Sequence, residues 1–302
     1  MLQPFVDGIA ACAERCAFEP ENVLAAELAG LLFRRIVIEG GIGAGKSTMG
    51  RQLVECLRNV VRVPAEFLPE HFLPDMLAWF YKEMDLVEKG LKERNDAAFP
   101  MQLQMLHLRQ RNYERALALT GASSDFVAPG GPCTVVEDRF VHGDAVFAAL
   151  QRFSPDEWRV YLAQLAQFRY GPAYVVYLDV TAGEAYRRKK ERNRDAEREV
   201  KQAYLHRVRL CYYLMLTALS RRGGARILLL RNDRWHDPLY VLRRIMRAPP
   251  ASHARDLIFS KARPLGDSAT EEQLDEAFEE LHLLYDAYEA ERPGGALLKM
   301  SK

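Results

Sequence analysis

Gly40, Gly41, Ile42, Gly43, Ala44, Gly45, Lys46, Ser47 and Thr48 follow directly on the apolar run Ile36-Val37-Ile38. No other stretch constrains the fold so tightly. A Gly-x-x-x-x-Gly-Lys-Ser loop, placed where a strand turns into a helix, is a phosphate cradle. Its glycines let the backbone curl until successive N–H groups converge on phosphate oxygens. Lys46 can reach the outer phosphates and Ser47 can offer its hydroxyl to Mg²⁺. The helix opening near Gly45 adds the positive end of its dipole. The loop predicts a nucleoside-triphosphate site but does not say where the phosphate goes.

Downstream, apolar runs alternate with helical patterns. Strands are expected at 34–38, 60–63, 133–136, 174–178 and 227–230, and helices at 45–57, 72–119 with a break near 95–100, 142–169, 182–192, 199–221 and 236–247. Strands separated by helices imply a parallel sheet covered on both faces. The expected fold is therefore an α/β, three-layer P-loop fold with a five-stranded parallel sheet. Residues 1–33 read as a helical extension broken at Pro20, 34–248 as the core domain, and 249–302 as an extension. That extension opens on Pro249-Pro250 and carries an acidic amphipathic helix at 271–290, expected to cover its own core.

Bulk properties exclude several classes. A net charge of +1 gives no field that favours nucleic acid or an anionic membrane. No apolar stretch nears the ~20 residues that span a bilayer. Asp7 and Glu14 interrupt the start, against a secretory leader. Cys12, Cys16, Cys56, Cys133 and Cys211 form no Cys-x-x-Cys pair, which fits a reducing, cytoplasmic setting.

Four further groups bear on chemistry. Val135-Val136 runs into Glu137-Asp138-Arg139. In an open parallel sheet that strand end faces the ligand. Asp138 can thus hold Mg²⁺ with Ser47, unless the pair is an ordinary strand-end ion pair. Arg188 and Arg192 lie four apart on one helix face, and Arg194 follows. They suit a transferring phosphoryl group, although a solvated basic helix end has the same pattern. Glu66 falls just past the expected second strand and could accept a proton from an attacking hydroxyl; Glu70 competes for that role. Gln102 and Arg109 share a helical face and, with Asp144, could read a nucleobase edge.

Taken in order, these groups resemble the deoxyribonucleoside kinases over roughly 34–235. The resemblance implies transfer of the γ-phosphate of ATP to a deoxynucleoside 5′-hydroxyl. It assigns Glu66 as base, Asp138 to Mg²⁺, and Arg139 to the region of the reacting hydroxyl. It makes Arg188, Arg192 and Arg194 a lid over the phosphates, and Gln102, Arg109 and Asp144 the base-reading trio. Tyr81 and Glu197 match the residues that hold the sugar 3′-hydroxyl. The Arg–Asp pair resembles members that take deoxycytidine or purine deoxynucleosides rather than thymidine, and the family implies a homodimer. The sequence departs from the pattern at Phe140, where Ser is usual, and at His142, where Tyr is common. It also has Phe67 in place of Pro and a long 81–102 stretch. Two rivals stay open: a thymidylate or other nucleoside-monophosphate kinase, and a non-catalytic kinase-like scaffold. An acid rather than a base past the second strand argues against a phosphate-bearing acceptor. The intact Lys46, Asp138 and lid arginines argue against a scaffold.

Overall fold

The computed structural model describes residues 35–121, 131–169, 171, 174–222, 226–234, 236–248 and 258–291. The 1–33 extension, Cys12, Cys16 and the Pro249-Pro250 pair lie outside them. The described strands are β1 Arg35–Glu39, β2 Ala65–Leu68, β3 Thr134–Asp138, β4 Tyr174–Asp179 and β5 Arg226–Arg231. All pair in parallel, in the order β2-β3-β1-β4-β5. The described helices are α1 Lys46–Cys56, α2 Pro74–Glu88, α3 Ala98–Thr120, α4 Val141–Ala149, α5 Pro155–Leu165, α6 Ala182–Arg192, α7 Gln202–Arg222, α8 Pro238–Arg247 and α9 Glu271–Glu291.

Every residue of β1, β3 and β4 is buried. Helices cover both faces, so these strands have no solvent side and run nearly continuously apolar. Their charges fall at defined places. Arg35 and Glu137 neutralise each other, Arg35 Nη2 donating to Glu137 Oε2 at 3.0 Å. Glu39, Asp138 and Asp179 terminate their strands at the carboxyl edge. Ile38 pairs with Asp138, which sets the end of β3 beside the start of the glycine loop. The chain crosses from β3 over β1 to reach β4, so the crevice where such sheets bind ligands opens at β1 and β3.

The second strand is not at 60–63. Helix α1 runs on into a π-helical turn, Leu57–Val61, that ends at Arg62 in the left-handed conformation. Val60 and Val61 are 60% and 44% exposed, so this β-branched run packs against no sheet. Pro64 precedes the true strand, whose Ala65 to Leu68 pair with Thr134 to Glu137. Phe67 packs against α1, where a Cβ on Gly50 would lie 2.3 Å from its ring. Leu68 turns to the opposite face and joins Ala116 and Val135.

Helix α9 belongs to the core. Leu274, Ala277, Phe278, Leu281 and Tyr285 are fully buried. The Phe278 ring stacks on Tyr177 at 5.6 Å, and the Tyr285 hydroxyl donates to the Ile227 carbonyl at 2.5 Å. The helix thus covers the β5 side of the sheet with its own apolar stripe, and its acidic face meets water. Among the described residues, no helix is long and apolar enough to cross a membrane, and Cys56, Cys133 and Cys211 are free and buried.

Candidate active site

The glycine loop leaves β1 in a shape that side chains would prevent. Gly43 has φ +78°, and a Cβ there would sit 2.5 Å from the Ala185 carbonyl oxygen. Gly45 starts α1 in the left-handed conformation. Lys46 folds back to donate to the Gly41 carbonyl at 3.0 Å. Burial, and after it the charge of Arg139, pulls the Lys46 pKa down to about 8. Gly43, Gly45, Lys46, Ser47 and Thr48 line one cavity of about 430 Å³.

The Ser47 hydroxyl donates to Asp138 Oδ2. Asp138 Oδ1 is buried with no hydrogen-bond partner among the described residues. A buried carboxylate oxygen without a partner is costly unless a cation is meant to meet it. The Ser–Asp donor set fits Mg²⁺, which takes few protein oxygens and completes its shell with water and phosphate.

Arg188, Arg192, Arg194 and Glu197 line the same cavity. Arg188 and Arg192 project from one face of α6, and Asn193 ends that helix at φ +48°. Arg194 turns back across the Phe72 ring, 5.4 Å from its centroid. Arg192 pairs with Glu197, and Arg194 Nη1 lies 3.6 Å from Glu197 Oε1. Arg188 donates to Glu184 Oε1 and to the Asn232 carbonyl, each at 2.6 Å. The lid guanidiniums therefore point inward.

Glu66 lies elsewhere. It sits within β2 on the face toward α3 and pairs there with Arg115, away from the cavity. Glu70, beyond the true strand end, lines the cavity. Asn112 holds its approach by donating to the Pro69 carbonyl at 3.0 Å. Glu70 Oε1 lies 2.5 Å from Arg109 Nη2 and 3.0 Å from Arg139 Nε. Burial opposes its ionisation, but Arg139, Arg109 and Lys46 outweigh burial and hold the carboxyl well below the usual carboxylate range. The strand shift explains the displaced acid, since moving β2 along the chain moves its carboxyl end from the vicinity of Glu66 to that of Glu70.

The trio is partly assembled. Gln102 and Asp144 line the cavity, and the Gln102 side-chain oxygen is buried without a partner among the described residues. Arg109 lies behind the cavity wall, 1% exposed, donating from Nε to Asp144 Oδ2 at 3.1 Å. It supports both Glu70 and Asp144. Burial raises the Asp144 pKa against the pull of Arg109. Tyr81 lines the cavity, and burial, with Tyr204 and Glu197 nearby, keeps its hydroxyl protonated. The long stretch after Tyr81 is tied back to its helix by Asn95, whose Nδ2 donates to the Phe80 carbonyl at 3.0 Å.

The deoxynucleoside kinase family model matches residues 36–237 of this chain. The chain belongs to the deoxynucleoside kinase family. It is 28% identical over 209 residues to a deoxyadenosine kinase of Dictyostelium discoideum, covering 67% of this chain and 73% of that one. A solved structure of deoxyadenosine kinase from M. mycoides with bound dATP matches at TM-score 0.53 and 17% identity, covering 71% of this chain and 100% of the other. A second, with the products dCMP and a flexible dCDP bound, matches at TM-score 0.52 and 16% identity, covering 70% and 98%. At such identities the solved structures speak for the fold. As a deoxynucleoside kinase the chain is a phosphotransferase that phosphorylates nucleosides.

Three polar side chains of this kinase escape a reading by motif. Asn232, after β5, donates from Nδ2 to the Ala44 carbonyl at 2.6 Å and ties the loop to the lid through Arg188. Glu39 and Tyr212 meet beneath Arg139. Only Glu39 carries a local signal, an acid that closes a buried apolar strand just before the glycines.

Proposed function

We propose that this kinase transfers the γ-phosphoryl group of ATP to the 5′-hydroxyl of a deoxynucleoside, with deoxyadenosine or deoxycytidine preferred over thymidine. One observation carries the reading. Lys46, Ser47, Glu70 and three inward lid arginines line a single cavity, with Asp138 beneath Ser47. Loop amides and Lys46 would bind the triphosphate. Ser47 and Asp138 would hold Mg²⁺, which when bound neutralises charge on the phosphate oxygens. Arg188, Arg192 and Arg194 would spread their charge over the transferring group and exclude water.

Glu70 takes the place first given to Glu66. A carboxylate stabilised by two guanidiniums is a weak proton acceptor. Its task is to orient the hydroxyl and receive the proton once the bond to phosphorus is forming, which suits a loose transition state. Arg139 steadies that carboxylate. Tyr81 and Glu197 would take the sugar 3′-hydroxyl.

For the base, Gln102 offers an amide that can pair twice with an adenine edge, and Asp144 can accept an exocyclic amino proton. Thymine has no such proton. The name of the Dictyostelium relative supports the same choice. An acid at the acceptor end of the cavity disfavours a monophosphate acceptor by like-charge repulsion. Pairing of two copies through core helices rests on the family resemblance alone, and sedimentation velocity tests it. The reading as a whole is tested by ADP release from ATP with each of the four deoxynucleosides and their monophosphates. Turnover with deoxyadenosine or deoxycytidine is expected; turnover confined to monophosphates would refute it.

A further inference from the structure

Arg139 follows Asp138 in an unusual backbone state, φ +73°. Residues with side chains adopt it only when their surroundings impose it. Its amide donates to the Ile38 carbonyl at 3.0 Å, which turns the chain out of β3. Its side chain lies over the Phe147 ring, 4.9 Å from the centroid. Nη1 donates to the Tyr212 hydroxyl at 2.7 Å. That hydroxyl donates in turn to Glu39 Oε2 at 3.0 Å. Glu39 Oε1 accepts from the Phe140 amide at 2.9 Å and the Gly143 amide at 3.2 Å. Phe140, at the N-cap of α4, has no side chain able to cap it, so Glu39 does so from another strand. The packing is tight enough that a Cβ on Gly143 would fall 2.7 Å from Glu39 Oε2 and 2.8 Å from Arg139 Cγ.

We propose that Glu39 and Tyr212 are positioning residues: the carboxylate orients the Tyr212 hydroxyl, and that hydroxyl holds the Arg139 guanidinium against Glu70. The proposal rests on the reaction described above. Neither side chain lines the cavity. Their arrangement has a direction. Tyr212 has one proton and gives it to Glu39, which leaves its lone pairs for Arg139. A buried carboxylate is expensive, and a cap alone needs only a neutral acceptor. The ionised acid is required where the hydroxyl must be a donor toward it and an acceptor from a cation.

Two variants separate positioning from simple support. Tyr212→Phe leaves both amide bonds of Glu39 intact. Glu39→Gln can keep an acceptor for those amides while presenting a donor to Tyr212. Each is expected to lower kcat roughly ten- to hundredfold, as the loss of a hydrogen bond to a charged group does, with KM for ATP within about twofold. The double variant is expected to be no slower than the worse single, because both break one relay. Melting curves check that each folds; should Glu39→Gln not fold, Tyr212→Phe decides. Wild-type kcat in a folded Tyr212→Phe would overturn the proposal, as would fully multiplicative losses in the double variant. A wild-type protein inactive on every nucleoside would instead refute the reaction itself.

Discussion

Replacing Glu70 by Gln separates the two acids that compete for the reacting hydroxyl. The amide keeps the shape of the side chain and removes its charge and basicity. Loss of a positioned base costs on the order of 10²–10⁴ in rate. At ~1.36 kcal/mol per decade this is roughly 2.7–5.5 kcal/mol of barrier. The fold is less affected. Arg109 retains Asp144 at 3.1 Å and Arg139 retains Tyr212 at 2.7 Å, so neither guanidinium is orphaned. A stability loss of about 1–3 kcal/mol is expected from the broken charged contacts. Glu66→Gln makes the opposite case. It removes an ion pair to Arg115, which is 61% exposed. Pairs at that exposure contribute about 0–1 kcal/mol, and no group near the phosphates changes. Its single-turnover rate is expected to stay within about twofold of wild type. Single turnover with radiolabelled ATP is the right assay, because slow product release can hide a chemical defect in steady state. A hundredfold loss in Glu66→Gln beside a normal Glu70→Gln would refute the reasoning.

Lys46→Ala is expected to abolish ATP-dependent turnover while the melting temperature is kept, since among the described residues the Lys46 ammonium bonds the Gly41 carbonyl of its own loop; residual turnover above a few per cent would exclude the loop from catalysis. Asp144→Ala is expected to shift relative kcat/KM toward thymidine, and an unchanged profile over the four deoxynucleosides would remove Asp144 from base selection. Burial pushes the Glu39 carboxyl up to about 7 against the pull of Arg139 and of the Phe140 and Tyr212 hydrogen bonds; protonation reverses the Tyr212 bond, so kcat should fall as pH drops through 7, while Glu70, held far lower, adds no limb there. Glu39→Gln, locked in the protonated pattern, should lose that limb. Phe278→Ala removes a fully buried ring from α9 and should cost about 3–5 kcal/mol, read as a fall in melting temperature of roughly ten degrees with both KM values unchanged.

What could be read from sequence divides by distance along the chain. The phosphate loop and the lid are contiguous segments, because a triphosphate demands many donors from one stretch of backbone or one helix face. Their residue types and spacings survive any error in the surrounding elements. The five parallel strands and the burial of α9 also follow from alternation and amphipathicity, whereas the strand order β2-β3-β1-β4-β5 is set by pairings between distant segments. Strand β2 was misplaced because two signals compete there. Val60, Val61 and Val63 have high β-propensity, but no Gly or Pro lies between Arg51 and Val63 to stop α1 before Pro64, and it continues through a π-turn. The real strand is a four-residue edge strand, too short to show a period. Arg109 was placed on the right helix face, since seven residues from Gln102 make two turns. How deep that face lies depends on Asp144 and Glu70 from other segments. Tyr212 was invisible for the same reason: it meets Glu39 across 173 positions of sequence.

The arrangement of charge also explains how such a cavity holds together before a triphosphate arrives. Three lid arginines and Lys46 around one space would repel each other if left unpaired. Each has a temporary partner instead: Glu184 for Arg188, Glu197 for Arg192 and Arg194, and the Gly41 carbonyl for Lys46. Arg192 and Arg194 are 36% and 44% exposed, so their pairs with Glu197 are screened and cheap to open. Phosphate oxygens offer more charge and better geometry for guanidinium forks. On the proposed reaction, triphosphate binding therefore draws the arginines off Glu197 and leaves that carboxylate free for the sugar. Glu70 cannot be released in this way. Its partners Arg109 and Arg139 are 1% and 4% exposed and are held by Asp144 and Tyr212. The lid arginines thus sit in exchangeable pairs and Glu70 in fixed ones, so on the proposed reaction phosphate capture would rearrange the arginines while the nucleoside would meet a carboxylate already in place.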